Sequence, residues 1–265
     1  MVIDILKNFN MIFSLAKSDF KKRFTGSYFG ILWMFVSPLA TILVYTLIFQ
    51  VGFKTMSPVE GYPYVMWLIP GIIPWFFFQD ALIQGTNVLY EYNFLVKKVV
   101  FNVNILPVVK LVSVFFAHIC FVIMMFIVFI VARIQINMNA VFIIYYSFAT
   151  FVLALGIVYL TSSVNVFFKD MSQIVSILLQ FGIWMCPIMF DENIFKERLP
   201  IVCTLLKLNP FYYIVSGYRM SMLKMNFDKN LFIKETIFFW VVTILIFFIG
   251  SSIYNKLRPH FADTL

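Results

Sequence analysis

The sequence predicts an all-α integral membrane protein with six transmembrane helices, and three observations lead to this prediction. Long apolar stretches occupy most of the 265 residues, and four of the stretches contain no ionisable residue. The chain is 62% hydrophobic and only 12% charged, whereas soluble domains contain roughly 25% charged residues. The stretches also lack the alternation of barrel strands, and only helices or closed barrels satisfy their backbone groups in lipid.

The first element, residues 2–24, is predicted to be an N-terminal amphipathic interface helix. At 100° per residue most of its apolar side chains fall within one arc of about 120°, with Met11 and Leu15 as exceptions. Such a helix lies in the membrane interface and directs lysines toward anionic lipid head groups. A cleavable signal would need a small-residue cleavage site, which is missing, and a soluble partner-binding helix is the remaining alternative. The candidate interface residues are the basic ones, Lys17, Lys21, Lys22 and Arg23.

Six apolar segments follow, and each is long enough to be a membrane span. About 20 helical residues cross a hydrocarbon core of about 30 Å. Prolines interrupt the first, second and fifth segments, which predicts kinked helices and a shaped cavity. No linker or change of composition divides the chain, so residues 1–265 form a single domain. The predicted spans are residues 29–53, 62–89, 107–131, 140–168, 171–190 and 236–254.

The segment between the last two spans, residues 191–234, is predicted to be an external re-entrant segment. It contains two apolar pieces, residues 199–208 and 211–223, separated by Asn209 and Pro210. Each piece is too short to cross the bilayer. Irregular backbone at membrane depth persists only where protein or water covers it. We therefore expect a re-entrant helical hairpin that flanks a transport pathway.

The basic residues predict that both termini are cytoplasmic. Lys and Arg cluster before the first span, between spans two and three and after the last, whereas the opposite short loops hold only Lys54 and Arg133. Cytoplasmic loops carry such an excess, and long external loops weigh little in this rule. The net charge of +8 does not indicate nucleic acid binding, because the basic residues form no continuous stripe.

The chain lacks the residue patterns of a self-contained enzyme. It has two histidines and three cysteines without metal-ligand spacing, and no HExxH, GxSxG or GxxxxGK[ST] motif. We therefore expect no catalytic residue, metal site or cofactor in this chain. His118 lies within a span and is either a proton relay or a hydrogen-bond partner of a neighbouring helix. Asp80 and Lys110 lie in the inner halves of adjacent spans, where an ion pair between them is possible, and a structural role is the favoured interpretation of such a pair.

Motifs along nearly the whole chain resemble those of one family. They are RFTGSYFGILWMFVSP, GIIPWFFF, LVKKVVFNVNILP, NVFFKDMSQIV, WMCPI and LNPFYYIVSGYR, followed by the Phe-Ala-Asp tripeptide at residues 261–263. They resemble the membrane subunits of ABC-2 type exporters for cell-surface polysaccharides and teichoic acids. Two positions depart from the family pattern, since Asn102 stands where proline is usual and Lys169 where arginine is frequent. The lysine keeps the charge but loses a bidentate fork.

The resemblance implies a homodimer in the bacterial inner membrane that works with two copies of a separate ABC ATPase subunit. That partner would bind ATP and Mg, and the cargo would be a lipid-linked glycan of the O-antigen, capsule or teichoic acid type. Short cytoplasmic segments would act as coupling helices that transmit ATPase closure to the spans. The candidate coupling residues are Glu91, Leu95, Lys97, Lys98, Phe101, Lys169 and Asp170.

The candidate substrate pathway consists mainly of aromatic residues, whose apolar faces and polar edges suit sugars held by many weak contacts. Arg219 is added because a guanidinium suits the diphosphate of a lipid-linked glycan. The alternatives are that the rings pack against lipid or helices and that Arg219 bonds the hairpin's carbonyls or a carboxylate. The pathway candidates are Tyr45, Phe49, Trp75, Phe181, Trp184 and Arg219.

Two other functions remain open at this point. An ABC-2 exporter of drugs or simple lipids would share the spans without needing the interface-helix junction or the Asn-Pro hairpin. A membrane-bound glycosyltransferase or acyltransferase is opposed by the missing catalytic residues.

Overall fold

The computed structural model describes residues 2–26, 28–98, 101–195, 199–224 and 229–265, and every regular element in these ranges is helical. Short 3₁₀ segments precede several helices, and π-helical turns, Thr46–Gly52, extend α3. The α-helices are α1 (Val2–Lys7), α2 (Phe9–Phe24), α3 (Trp33–Tyr45), α4 (Tyr64–Thr86), α5 (Val88–Glu91), α6 (Asn93–Val96), α7 (Leu106–Val131), α8 (Phe142–Phe167), α9 (Met171–Gly182), α10 (Pro200–Leu208), α11 (Pro210–Met222), α12 (Lys229–Leu257) and α13 (Phe261–Thr264).

In the described part of the chain, 5 helical segments are long and apolar enough to cross a membrane. They contain α3, α4, α7, α8 and α12, and they correspond to the first four predicted spans and the last. The prediction of an all-helical multi-pass membrane protein is therefore confirmed at this level. The segments are Gly30–Gly52, Tyr64–Thr86, Val103–Val131, Met138–Phe167 and Ile233–Thr264.

The predicted fifth span, residues 171–190, is only partly helical. α9 ends at Gly182 after 12 residues, which at 1.5 Å per residue reach about 18 Å, short of a hydrocarbon core of about 30 Å. Turns and bends continue from residue 183 to residue 190. This stretch contains Pro187, which has no backbone N–H to give to a helix.

The predicted hairpin pieces are two short helices, α10 and α11, divided at Asn209. The side chain of Asn209 accepts a hydrogen bond of 2.9 Å from the backbone N–H of Phe211 and so caps α11. Pro210 occupies the first turn, where its missing N–H leaves no helical bond unmade. α11 then packs against α4 and α8, and most of its side chains are buried.

The bundle is built around α4. Of the 18 most apolar consecutive residues in this helix, 78% are buried. In the corresponding stretch of Gly30–Gly52, only 11% are buried, so that segment lies at the edge of the bundle. α8 and α12 form the most extensive helix pair. They approach closely at Gly156, where an added Cβ atom would lie 2.9 Å from the Cα atom of Phe247. Small residues at such contacts let membrane helices pack backbone to backbone.

Residues 2–24 are helical, as predicted, but in two pieces, α1 and α2. α2 lies along α7, and Ile12 and Ala16 are buried between them. Leu6 and Phe9 are 71% and 62% exposed, so part of the apolar arc is left for lipid. The helix therefore packs on the bundle with one side and presents a second apolar side outward.

Candidate functional site

A cleft of about 480 Å³ opens between α3, α4 and α9. Three of the predicted pathway residues, Tyr45, Trp75 and Trp184, lie on its wall. Phe49 and Phe181 do not: Phe49 stacks on Tyr64 with ring centroids 5.9 Å apart, and Phe181 is 65% exposed on α9. The lining residues are Arg23, Trp33, Met34, Ser37, Pro38, Thr41, Tyr45, Trp75, Phe76, Gln79, Asp80, Phe121, Leu179, Gln180, Ile183 and Trp184.

The cleft wall formed by Trp75 is rigidly packed. Trp75 is 2% exposed, and its ring meets Phe211 edge to face at a centroid distance of 5.2 Å. A Cβ atom added at Gly182 would lie 2.9 Å from Cη2 of Trp75, so the glycine is what lets α9 approach α4. Trp184, by contrast, is 51% exposed. The two tryptophans therefore give the cleft one buried aromatic wall and one open aromatic edge.

An ion pair closes one end of the cleft. Nη2 of Arg23, in α2, donates to Oδ2 of Asp80, in α4, at 2.8 Å, and the side chains are 35% and 36% exposed. The pair considered between Asp80 and Lys110 is therefore not formed. The reason is that the interface helix, packed along α7, brings an opposite charge to each residue: Arg23 to Asp80 and Asp19 to Lys110.

Lys110 of α7 instead joins three segments through a buried cluster. Its Nζ lies 2.8 and 3.0 Å from the two carboxylate oxygens of Asp19 and also contacts the carboxylate of Glu91. The hydroxyl of Tyr92 donates to Asp19 at 2.7 Å. Lys110 is 4% exposed. The cluster ties the interface helix to α7 and to the first predicted coupling segment.

This cluster stabilises the negative charge of Asp19. Burial acts to raise the pKa of Asp19, but the hydrogen bonds and the positive charge of Lys110, with help from Tyr92 and Ser113, outweigh it and hold the pKa below its usual value. The sequence carried a signal for this contact: Asp19 lies on the same helical face as Ile12 and Ala16, where an unpaired carboxylate would be costly. A further contact, from the Asn104 amide to Asp4 at 3.0 Å, fixes α1.

The first predicted coupling segment, residues 91–102, starts at the last residue of α5 and contains α6, and residues 99 and 100 lie outside the described ranges. Lys97 and Lys98 are exposed after α6, Leu95 and Phe101 are half-buried, and Glu91 is engaged by Lys110. Phe94 was not predicted and is 53% exposed beside the lysines.

The second predicted segment, residues 169–173, consists of the turn after α8 and the start of α9, and Lys169 and Asp170 are both exposed. The structure brings together the helix ends that precede the two segments. The Asn165 amide, at the end of α8, donates to the Asn87 side chain at 3.2 Å and to the Thr86 carbonyl at 3.1 Å. Tyr90 donates to the carbonyl of Val166 at 3.2 Å.

Arg219 lies in a closed site in α11 and is 4% exposed. Its guanidinium donates to the carbonyl oxygens of Pro187, Ile188 and Trp67 at 2.7, 2.6 and 3.3 Å. It also lies 3.5 Å from the centroid of the Trp67 ring. These carbonyls belong to α4 and to the stretch after α9, not to the hairpin itself. Arg219 therefore satisfies backbone groups that the end of α9 leaves without helical partners.

His118 bonds two neighbouring helices, the second of the alternatives considered above. Its Nε2 lies 2.9 Å from the Tyr218 hydroxyl and 3.1 Å from Oγ of Ser147, and these two oxygens are 2.6 Å apart. The three side chains connect α7, α8 and α11 inside the bundle.

Comparison with known proteins places these features in a wider group. A family model described as ABC-2 type transporter matches residues 10–223. The O-antigen export system permease protein RfbA of Myxococcus xanthus is 23% identical over 269 residues, which cover 100% of this chain and 99% of that protein. A protein of the same name from Klebsiella pneumoniae is 24% identical over 267 residues, with 97% and 95% covered.

Proposed function

The chain belongs to the ABC-2 type transporter family, and we propose that it is the membrane-spanning subunit of an ATP-driven exporter of lipid-linked polysaccharide. The observation that carries the proposal is the alignment, nearly end to end, with two permeases named for O-antigen export. The cargo would be of the O-antigen, capsule or teichoic acid type and would move from the cytoplasmic to the external side of the bacterial inner membrane. ATP and Mg would bind the partner ATPase, since this sequence has no phosphate loop.

The cleft supports a glycan as cargo. Aromatic rings give sugars apolar faces, and the same wall carries hydrogen-bonding side chains from Ser37, Thr41, Gln79 and Gln180. This mixture allows a chain of sugars to slide past many weak contacts. On this proposal Tyr45, Trp75 and Trp184 line the route. Arg219 instead stabilises the protein around the route, because its guanidinium already donates to backbone carbonyls.

In the proposed homodimer, the exposed faces of α3 and α9 would form the interface between the two copies. Leu43 and Leu47 of the first span are 58% and 53% exposed, and Leu178 and Phe181 of α9 are 62% and 65% exposed. In a twofold dimer these faces would pack against the same faces of a second copy. Two clefts would then lie beside the shared interface and enclose the route between the subunits.

The orientation of the chain argues for a sixth crossing. An odd number of crossings places the two termini on opposite sides, whereas the basic residues at both ends favour the cytoplasm. α9 together with residues 183–190 would complete the crossing. The hairpin of α10 and α11 would then remain on the external side and return the chain to α12.

The partner ATPase, in two copies, would contact the exposed ends of the two cytoplasmic segments. The exposed residues there are Phe94, Lys97 and Lys98 in the first segment and Lys169 and Asp170 in the second.

Deletion of the gene and complementation test the function. The deletion strain should lose surface polysaccharide and accumulate the lipid-linked form inside, and a plasmid copy of the gene should reverse both changes. Resistance to drugs should remain unchanged, which separates this function from drug export. Unaltered surface polysaccharide together with an unaltered internal lipid-linked pool would contradict the proposal.

A further inference from the structure

Two cavities meet at the end of the interface helix, and Arg23 is the residue that they share among those the structure describes. The first cavity is the cleft described above. The second has a volume of about 320 Å³ and lies between α2, α7 and the first predicted coupling segment. The residues that line the second are Asp19, Lys22, Arg23, Gln84, Glu91, Tyr92, Phe94 and Lys110.

The second cavity offers two cations that its own carboxylates do not neutralise. Asp19 and Glu91 are both held by Lys110. Lys22 forms no ion pair with any residue in the described ranges, and Arg23 reaches away, to Asp80 in the cleft. The pair of Arg23 and Asp80 is about one third exposed on each side. Exposed pairs of this kind are weak, so a stronger anion can replace the carboxylate.

The cleft beside Arg23 borders both polar and apolar surface. α3 directs Ser37 and Thr41 into the cleft, whereas Leu39 and Leu43 on the same helix are 46% and 58% exposed. An anion that binds at Arg23 can therefore continue into a polar chain on one side and an apolar chain on the other. That combination describes the phosphate of a lipid that also carries a polar group.

We propose that the phosphate of such a lipid binds between Lys22 and Arg23, and that Arg23 leaves Asp80 to bind it. The inference rests on the proposed function and names the part of its cargo that the protein recognises. A guanidinium can bind two phosphate oxygens at once, and an ammonium adds a point charge. Asp80 holds Arg23 in place while the site is empty and competes with the ligand for the guanidinium.

This competition gives two neighbouring substitutions opposite effects. Arg23→Gln should weaken binding about tenfold, the value of one lost charge-assisted contact. Asp80→Asn should instead tighten binding several-fold, because Arg23 no longer has to leave a carboxylate. If the pair only stabilises the fold, both substitutions should weaken binding equally. Lys256→Gln is the matched control, since Lys256 is exposed at the end of α12 and lines neither cavity.

The experiment uses the complex with its ATPase in detergent and radiolabelled undecaprenyl diphosphate as the probe. Inorganic diphosphate should displace the probe, undecaprenol should not, and phosphatidylglycerol should do so only in large excess. Equal displacement by phosphatidylglycerol, or displacement by undecaprenol, would overturn the inference. Weaker binding in Asp80→Asn would overturn it as well.

Two further measurements keep the outcome interpretable. Arg23→Lys retains a point charge and should bind between wild type and Arg23→Gln, provided that gel filtration shows an intact complex for all variants. A wild-type complex that supports polysaccharide export in cells but binds no probe refutes this inference and leaves the proposed function standing.

Discussion

The guanidinium of Arg219 lies 3.5 Å from the centroid of the Trp67 ring, and its Nε donates to the carbonyl oxygen of the same residue. Gly71, one turn further along α4, completes the site: a Cβ atom added there would lie 2.9 Å from Nη2 of Arg219. The absence of a side chain at residue 71 therefore lets the arginine reach the carbonyls of Pro187 and Ile188.

Gly71→Ala should lower the stability of the protein by about 1–3 kcal/mol, the usual effect of overpacking a filled site. Thermal unfolding of the purified protein in detergent measures the change. Gly52→Ala is the control, because a Cβ atom there meets only the Leu47 carbonyl at an ordinary 3.5 Å. Equal melting temperatures for the Gly71 variant and wild type would mean that Arg219 is not confined as described.

Lys110→Met should destabilise the protein by about 3–5 kcal/mol, because it leaves the Asp19 carboxylate nearly buried without its cation. The double variant Lys110→Met with Asp19→Asn should recover part of this loss, since no buried charge remains unpaired. A double-mutant cycle from denaturant unfolding gives the coupling between the two residues. Additive losses would show that the pair contributes no direct interaction.

The contribution of Asp19 to the stability of the folded protein should decrease as the pH falls. Because the folded pKa of Asp19 lies below the ordinary value of 3.8, its stabilisation is fully present above that value and is lost as pH falls through the folded pKa. The stability difference between wild type and Asp19→Asn should therefore be constant near neutral pH and shrink below pH 3.8. A difference that persists unchanged at lower pH would contradict the assigned charge state.

On the proposed function, coupling to ATP hydrolysis should depend on the exposed residues Lys97 and Lys98. Replacing Lys97 and Lys98 by alanine should reduce export and partner-stimulated ATP hydrolysis while leaving the melting temperature unchanged, since exposed substitutions have small effects on stability. Lys54→Ala, in an opposite loop, should change neither activity. Normal export by the double variant would assign both lysines to solvent, and ATP hydrolysis by the purified chain alone would remove the need for a partner.

The distribution of Lys and Arg also predicts which loops are accessible from outside the cell. Single cysteines at residues 97 and 169 should react with a membrane-impermeant reagent only after cells are opened, and cysteines at residues 54 and 133 should react in intact cells. The native cysteines are replaced first, because Cys120 and Cys203 are partly exposed. Reaction at residue 97 in intact cells would invert the orientation.

Most of the helical architecture was predictable because it depends on local sequence. Long uncharged runs give membrane helices, and the Asn-Pro pair at residue 209 caps one short helix while ending another. The end of α9 was not predictable in this way. Residues 183–190 are as apolar as a span, but the carbonyls of Pro187 and Ile188 are satisfied by Arg219, which lies about 30 residues later in the chain.

The candidate site was predicted only where its residues lie on spans. Tyr45, Trp75 and Trp184, which were chosen as pathway residues for their aromatic rings, line the cleft, whereas Phe49 and Phe181, chosen on the same ground, do not. The ion pairs of Arg23 and Asp19 were missed, because they join residues 57 and 91 positions apart and depend on where the interface helix packs. The periodicity of residues 2–24 predicted which side of the helix is apolar, but it did not predict which helices pack against it.

The amide of Asn165 has a mechanical consequence. Because it bonds both Asn87 and the last carbonyl of α4, the end of α8 is fastened to the end of α4. A protein that pushes on this end of α8 would therefore also push on α4, and α4 carries the buried wall of the cleft. A movement at this end of the bundle would thus be transmitted along α4 to Trp75.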